Sequence, residues 1–559
     1  MEAKTSRSFA ANVIIIFTAQ IVVKLLGMLY RLVITNIDGF GDAGNGYYSA
    51  GFQIYTLLLA ISSVGIPNAI SKLVSERVVV SDYAGAKQIF KTAFFIFAVI
   101  GFVLSAFMFA FSKQIAHYVL NMDGAEYTIA ALAPSIFFVC ISSVLRGYFS
   151  GMNRMNSMSV SQIIEQLFKS VLSVVFVLAA ADALPEIMSG WANLATTVAT
   201  VASILYLIHV YAMDNRNKHF AYKCSIRKNF VYTAKTILVI AVPISLCSVI
   251  TAFSRIVDTA TITRGIETAF AAYIPPQGIA GTDGFVPGIV NPTLEELNHE
   301  AVRLAGMLSK SDTLINLPLA LNITFATVLV PTISKFIAVG NREKADAYIH
   351  FSILTSIVLV LPCAAGYIVL AEPIYNLIYP NAPLGYDLLR LSAVSLVFTA
   401  LNQTITGALQ GMGKVHIPAL ALAAGCVIKI VLNIILIAIP QINIYGAVIG
   451  SIVCQITVFI IEWMSLSKAA KGMFSLKKLF VKPLICNVLM SVLTYYAYEA
   501  SFQILSSNTA AVIISIAASA VFYGGLLLCF RIFEKEQLLR IPFFGKIILF
   551  FDQRHVQSK

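Results

Sequence analysis

Charge is scarce in this chain of 559 residues: 12% are Asp, Glu, Lys or Arg, against ~25% in an ordinary soluble domain. With 58% hydrophobic residues and a mean hydropathy of +0.83, that shortage excludes a soluble enzyme and a disordered chain. Cysteine is thin as well. Of the eight, Cys140, Cys247, Cys363, Cys426, Cys454, Cys486 and Cys529 fall in or beside apolar segments, and Cys224 falls in a basic loop. No CxxC pair occurs, so they read as small buried hydrophobes rather than a disulfide framework. The seven histidines show no metal-ligand spacing, and no Walker A, HExxH or GxSxG motif stands in context. That excludes a pump carrying its own nucleotide site.

What the chain has is apolar runs of about 20 residues, the length that crosses a ~30 Å hydrocarbon core as a helix. Fourteen are read, at 11–35, 47–70, 88–111, 129–150, 158–181, 190–212, 233–257, 312–333, 349–371, 388–410, 417–439, 443–465, 480–500 and 509–530. The first contains Lys24 and lacks a small-residue cleavage site, so it reads as a spanning helix and not a leader. A β-barrel is excluded, because its strands would be ~10 residues with alternating polarity.

The scarce bases test this map. Counting alternate segments outside the membrane, 28 of the 39 fall on the side of the termini and 4 on the other: Lys113, Arg264, Arg303 and Lys310. That bias places both termini in the cytoplasm, where the anionic lipids of the membrane's inner face account for the net charge of +12 better than nucleic acid does.

The chain also repeats itself. Gly147-Tyr-Phe-Ser-Gly151-Met matches Gly407-Ala-Leu-Gln-Gly411-Met, and the same offset pairs Lys169 with Lys429. Ile70-Ser-Lys72 after Pro67 matches Ile333-Ser-Lys335 after Pro331, and Arg31-Leu-Val-Ile-Thr matches Arg255-Ile-Val-Asp-Thr. The expected architecture is an all-α polytopic membrane protein with two pseudo-symmetric six-helix lobes, 1–215 and 216–467. A long outer loop covers 258–311, two added helices lie within 468–530, and a cytoplasmic tail covers 531–559. Two parallel lobes around a central site suit alternating access. Gly147, Gly151, Gly407 and Gly411 are candidate helix contacts, and Pro67 and Pro331 candidate hinges.

Seven bases remain inside the spans: Lys24, Arg31, Arg146, Lys169, Arg255, Arg390 and Lys429. Each costs ~2.5–3.5 kcal/mol at mid-helix on insertion scales, so it is kept for function or paired within the bundle. Lys24 and Arg31 share one face of helix 1. The internal acids are Glu165, one turn from Lys169, and Asp258, three residues from Arg255, both placed for pairing or ion coupling; Glu462 lies near the inner end of helix 12. Lys169 and Lys429 serve either an anion or a buried carboxylate. The excess of base over acid points to a cavity for a phosphate-bearing group, with Lys24, Arg31, Arg255, Lys169 and Lys429 as its candidates. Glu295, Glu296, His299 and Glu300 in the outer loop leave open a membrane enzyme, although the polar face of a surface helix accounts for them too.

The run Gly44-Asn-Gly-Tyr-Tyr-Ser-Ala-Gly-Phe-Gln-Ile-Tyr55, leading to Gly65-Ile-Pro-Asn-Ala-Ile-Ser-Lys-Leu-Val-Ser-Glu76, sits between Lys24-Leu-Leu-Gly-Met-Leu-Tyr-Arg31 and Gly147-Tyr-Phe-Ser-Gly-Met-Asn-Arg154. Together these resemble the lipid-linked oligosaccharide flippases of the MATE-like exporter superfamily, in the branch of the stage V sporulation protein B and MurJ types. The resemblance covers nearly the whole chain. It implies two lobes around a cationic cavity, and helices 13 and 14 along a groove for a polyprenyl tail. It implies an undecaprenyl-diphosphate-linked glycan as substrate, lipid II first, with a capsular or teichoic unit as alternative. It implies no cofactor, coupling to membrane potential, Na+ or H+, a monomer in the phospholipid bilayer, and cell-wall synthesis enzymes as partners. A drug or cation antiporter of the same fold would want more acid in its cavity. MurJ-type members place an Arg-Asp pair where this chain has Tyr30 and Arg31, so the base is shifted some ~100° around the helix.

Overall fold

The computed structural model describes residues 2–62, 65–217, 230–276, 287–414, 416–469 and 476–533. Cys224 lies outside them, as do the side chains of Pro243 and Pro331. The helices follow the apolar runs: α1 Glu2–Thr35, α2 Gly41–Ser62, α3 Ile66–Val79, α4 Tyr83–Ala110, α5 Ser112–Gln114 leading into a π-helical turn Ile115–Leu120, α6 Ala125–Gly151, α7 Met155–Ala179, α8 Pro185–Asn217 and α9 Phe230–Ala269. A two-residue hairpin follows, β1 Tyr273–Ile274 antiparallel to β2 Ile289–Val290 with Tyr273 opposite Val290. Then come α10 Leu294–Ala338, α11 Arg342–Val369, α12 Ala371–Ile378, α13 Tyr386–Gly411, α14 His416–Ile437, α15 Tyr445–Ala469, α16 Leu476–Leu505 and α17 Asn508–Cys529.

Among the described residues thirteen segments are long and apolar enough to cross a membrane, so this is a multi-pass membrane protein. The fourteenth expected span, 312–333, falls within α10, where the side chains of 324–328 are outside the described set. The stretch expected as a long outer loop is mostly helix: α9 runs on to Ala269 and α10 starts at Leu294. Local chemistry explains that start. The Thr293 backbone N–H and hydroxyl both donate to Glu296, at 2.7 and 2.9 Å, a reciprocal cap that turns the chain into a helix before the apolar run begins. Asp82 caps α4 by accepting from the Gly85 N–H at 2.8 Å, and Asn341 caps α11 through Lys344. The turn between α1 and α2 uses Gly39 and Gly41, both at positive φ, which a Cβ would strain.

The chain divides into two compact units. Unit 1 holds Met1–Ala320, Tyr379–Leu388 and Pro418–Cys454. In it α6 packs on α2, α3, α4 and α8, while α7 lies between α1 and α8. Its core gathers Ile54, Ile70, Phe90, Ile129, Ile136 and Phe149, all buried. Pro67 opens α3 in its first turn, where a missing N–H costs nothing, rather than kinking a span. Gly147 and Gly151 of α6 face it closely: a Cβ on Gly151 would stand 2.7 Å from Val74 Cβ, and one on Gly147 2.9 Å from Pro67 Cα.

Unit 2 holds Leu321–Ile378, Leu389–Ile417 and Gln455–Lys559. Here α16 packs on α11 and α17, and α12 on α17. Ile333, Ile353, Leu401, Ile405, Leu409 and Leu466 form its core. A Cβ on Gly411 of α13 would stand 2.9 Å from Ile333 Cβ, a close crossing like that of Gly151 on Val74; Gly407 is buried one turn earlier. The outward faces stay apolar, as Phe95, Phe102 and Phe109 of α4 show, which suits lipid and would not suit water. Among the described cysteines none is paired, and Cys529 at the end of α17 is the one that is exposed.

Candidate functional site

The intramembrane bases named from the sequence do not share one fate. Two are spent on carboxylates inside unit 1. Lys429 of α14 meets Asp258 of α9 at 2.5 Å, and Asn433, one turn further along, donates to the other oxygen of Asp258 at 3.0 Å and to Thr261 at 3.1 Å. Asp258 is thus paired across helices and not with Arg255 in its own turn. A residue three places along a helix reaches a neighbour only if both side chains lean together, and Asp258 leans to α14. Arg146 of α6 meets Glu165 of α7 at 2.5 Å and also donates to Ser161 at 3.0 Å and Ser203 at 2.9 Å. Glu165 therefore serves Arg146 and not Lys169, and Arg146 points into the bundle instead of toward the interface. Both pairs are partly buried, where breaking one partner costs about 3–5 kcal/mol.

Lys24, Arg31, Lys169 and Arg255 have no carboxylate within ion-pair distance among the described residues. All four belong to unit 1. The Arg31 guanidinium lies over the Tyr48 ring, 4.1 Å from its centroid, and Nη2 donates to Ser309 of α10 at 2.8 Å. Its Nη1 is buried with no hydrogen-bond partner. Lys169 of α7 stands 4.5 Å from the Phe52 ring centroid and 5.7 Å from that of Tyr30. The Tyr30 and Tyr48 hydroxyls are bonded at 2.8 Å, and Tyr48 stacks on Phe52 at 6.0 Å. An aromatic shelf of Tyr30, Tyr48 and Phe52 thus carries two cations on its π faces, an arrangement that holds positive charge without neutralising it. Lys24 and Arg255 are solvent-accessible, and Arg255 and Lys169 are the charges that act most on Lys24.

Charge scarcity alone did not reveal three members of this group. Asp312 of α10 feels Arg255, Lys429 and Arg31; as a lone acid at the very start of an apolar run, it was the one with a signal in the sequence. Ser309 and the Tyr30–Tyr48 pair have no such signal, since hydroxyls and rings are common in helices. The outer-side base Lys310 is also used internally. Its side chain is wholly buried, pairs with Asp42 at 2.6 Å, and donates to the carbonyls of Ala382 at 2.5 Å and Leu384 at 2.9 Å. Arg303 donates to both oxygens of Glu300 through its Nε–Nη2 edge, at 2.8 and 2.7 Å, so Glu300 serves an ion pair within α10. No group of three or more His, Cys, Asp or Glu able to hold a metal occurs among the described residues.

Residues 9–337, more than half of the chain, match the family described as polysaccharide biosynthesis protein, and residues 304–516 match the lipid II flippase MurJ family. The stage V sporulation protein B of Bacillus subtilis (strain 168) is 24% identical over 551 residues, covering 97% of this chain and 99% of the relative. The lipid II flippase MurJ of the same organism is 24% identical over 570 residues, covering 94% and 96%. Among solved structures, the lipid II flippase MurJ in an inward closed conformation superposes with a TM-score of 0.66 at 16% identity, over 93% of this chain and 99% of that one. An inward-facing multidrug resistance MATE family transporter gives 0.62 at 16% identity, over 83% and 100%. The chain therefore belongs to the polysaccharide biosynthesis protein family, as a multi-pass membrane protein with the fold that the MurJ and MATE structures share.

Proposed function

We propose that this protein flips an undecaprenyl-diphosphate-linked cell-wall precursor, lipid II, from the inner to the outer leaflet by alternating access. The observation that carries the reading is the set of uncompensated bases in unit 1, above all Arg31 with its buried, unpartnered Nη1. A diphosphate offers the acceptors such a group lacks, and arginine's planar fork suits two of its oxygens. Arg31, Arg255, Lys24 and Lys169 hold the diphosphate head, while the polyprenyl tail stays in lipid beside α16 and α17. Lys429, spent on Asp258, fixes α9 against α14 and so sets where Arg255 stands. Two six-helix lobes rock about the head, with both termini in the cytoplasm, and no bond is made or broken. The cations must not favour one conformation strongly, or the substrate would be trapped there.

The name of the sporulation relative and the polysaccharide family description favour a second reading, a flippase for another lipid-linked glycan. An antiporter is less well supported, because Glu165 and Asp258 are already engaged by bases. Depletion followed by measurement of lipid II in each leaflet separates these. Accumulation at the inner leaflet is expected; unchanged lipid II sidedness with loss of another surface glycan would transfer the assignment to the second reading.

A further inference from the structure

Unit 2 buries a carboxyl that nothing neutralises. Glu462 lies on α15, seven residues before the helix ends at Ala469, so ~10 Å of helix separates it from that end. It has no exposed surface. Oε1 takes a hydrogen bond from the Thr406 hydroxyl of α13 at 2.6 Å, and Oε2 is buried with no partner. Ile405, next to Thr406, and Leu466, one turn beyond Glu462 on α15, belong to the apolar core of unit 2, and Trp463, the residue after Glu462, stacks on Phe459. The elements of that cluster carry other titratable side chains, among them Lys335 of α10, Tyr348 and His350 of α11, Arg390 of α13, Lys468 of α15 and Lys482 of α16; the one hydrogen bond Glu462 makes among the described residues is to Thr406. Asp258, Glu165 and Asp42 each have a base at 2.5 or 2.6 Å, and Asp312 stands in the field of Arg255, Lys429 and Arg31.

We propose that Glu462 is a proton-carrying site of unit 2, loaded in the packing seen here and emptied when α13 and α15 part to admit water. An ionised carboxylate stripped of water with one hydroxyl donor is a far larger penalty than a neutral acid with one unsatisfied group. The proton is thus a ligand of this closed packing, taken from water on one side and returned to water when the carboxyl is hydrated. A ligand bound in one conformation and released in the other links that conformation to its own concentration. The site is separate from the cationic group of unit 1, and its existence does not depend on the substrate assigned above.

Two measurements on the full chain test this. The first is the infrared carbonyl absorption of un-ionised carboxylic acid, recorded at neutral pH for protein in lipid nanodiscs. Glu462→Gln, which keeps the shape and the Thr406 contact, should remove one such band, and Thr406→Val should move it. A spectrum unchanged by Glu462→Gln overturns the proposal. The second uses vesicles with the membrane potential clamped, an imposed pH gradient, and a fluorescent undecaprenyl-diphosphate disaccharide as probe. One proton per turnover converts a gradient of one pH unit into about a tenfold bias in probe distribution. Wild-type protein should show that bias and Glu462→Gln should move probe without it; a variant that responds as wild type does overturns the coupling. If neither protein moves the probe, the flippase reading falls, and the infrared band still decides the proton site.

Discussion

Arg31 is held by one face and one nitrogen, and its other terminal nitrogen is unused. Tyr48 supports its face, Ser309 takes one edge, and Nη1 is left bare. Arg31→Ala and Arg255→Ala should each abolish movement of a fluorescent lipid-linked diphosphate in reconstituted vesicles while leaving insertion and folding intact. Arg31→Lys should restore part of the rate, since it returns the charge without the fork. Full activity of both alanine variants would remove the cationic account. Lys429 should behave differently. Lys429→Met strands a part-buried Asp258, at a cost of about 3–5 kcal/mol, so the loss should appear first in thermal unfolding, and adding Asp258→Leu should recover stability but not transport. A wild-type melting curve for Lys429→Met would show that the pair is idle. The two lysines related by the repeat, 169 and 429, could not be told apart by sequence alone. The deciding fact is which neighbour presents an acid, and that is a matter of packing.

At the scale of the element, the start of α10 and its crossing with α2 carry the clearest expectations. Glu296 is exposed, and the Thr293 backbone and side-chain bonds hold its carboxyl below the usual carboxylate range. A carboxyl with a lowered value lends its stability in full above the ordinary range and loses it as pH falls through the lowered value. The protection of amides 293–297, taken relative to the intrinsic exchange rate at each pH, should therefore fall in acid below that range and hold level above it, and Thr293→Ala should remove that step. A profile identical in that variant would show that the cap contributes nothing. Further along, Gly306 sits against the Asp42 carbonyl and Gly46 against that of Val302, with no space for a Cβ. Gly306→Ala should splay α2 from α10, costing about 1–3 kcal/mol, and should loosen the neighbouring Asp42–Lys310 pair. Thermal unfolding of that variant in detergent, unchanged from wild type, would contradict the crossing. Helix existence was readable from apolar runs because a bilayer imposes a length. A surface helix at the start of α10 was one reading of Glu295, Glu296, His299 and Glu300; the extension of α9 to Ala269 was not readable, because its polar residues make equally good loop.

For the molecule as a whole, the uneven distribution of basic residues was the strongest signal, since Lys and Arg are costly to move across a bilayer and so record its sides. The division into two units was less accessible: it runs through α10, α13, α14 and α15, and nothing in a linear hydropathy pattern marks a boundary inside a continuous helix. Gly151 and Gly411, paired by the sequence repeat, each make a close helix crossing, on Val74 and on Ile333 respectively.

The cysteines, first noted for how few they are, give the natural chain a built-in probe. With Cys140, Cys426, Cys454 and Cys486 sealed in the bundle and Cys247 and Cys363 half-buried within helices, Cys529 is the accessible thiol among the described residues. A membrane-impermeant maleimide applied to intact cells should leave the protein unlabelled, and the same reagent after permeabilisation should mark the end of α17, told apart by peptide mapping from any label on Cys224 of the basic loop. Labelling from outside would invert the topology, and with it the direction of every charge argument made from the basic side, without a single residue having been mutated.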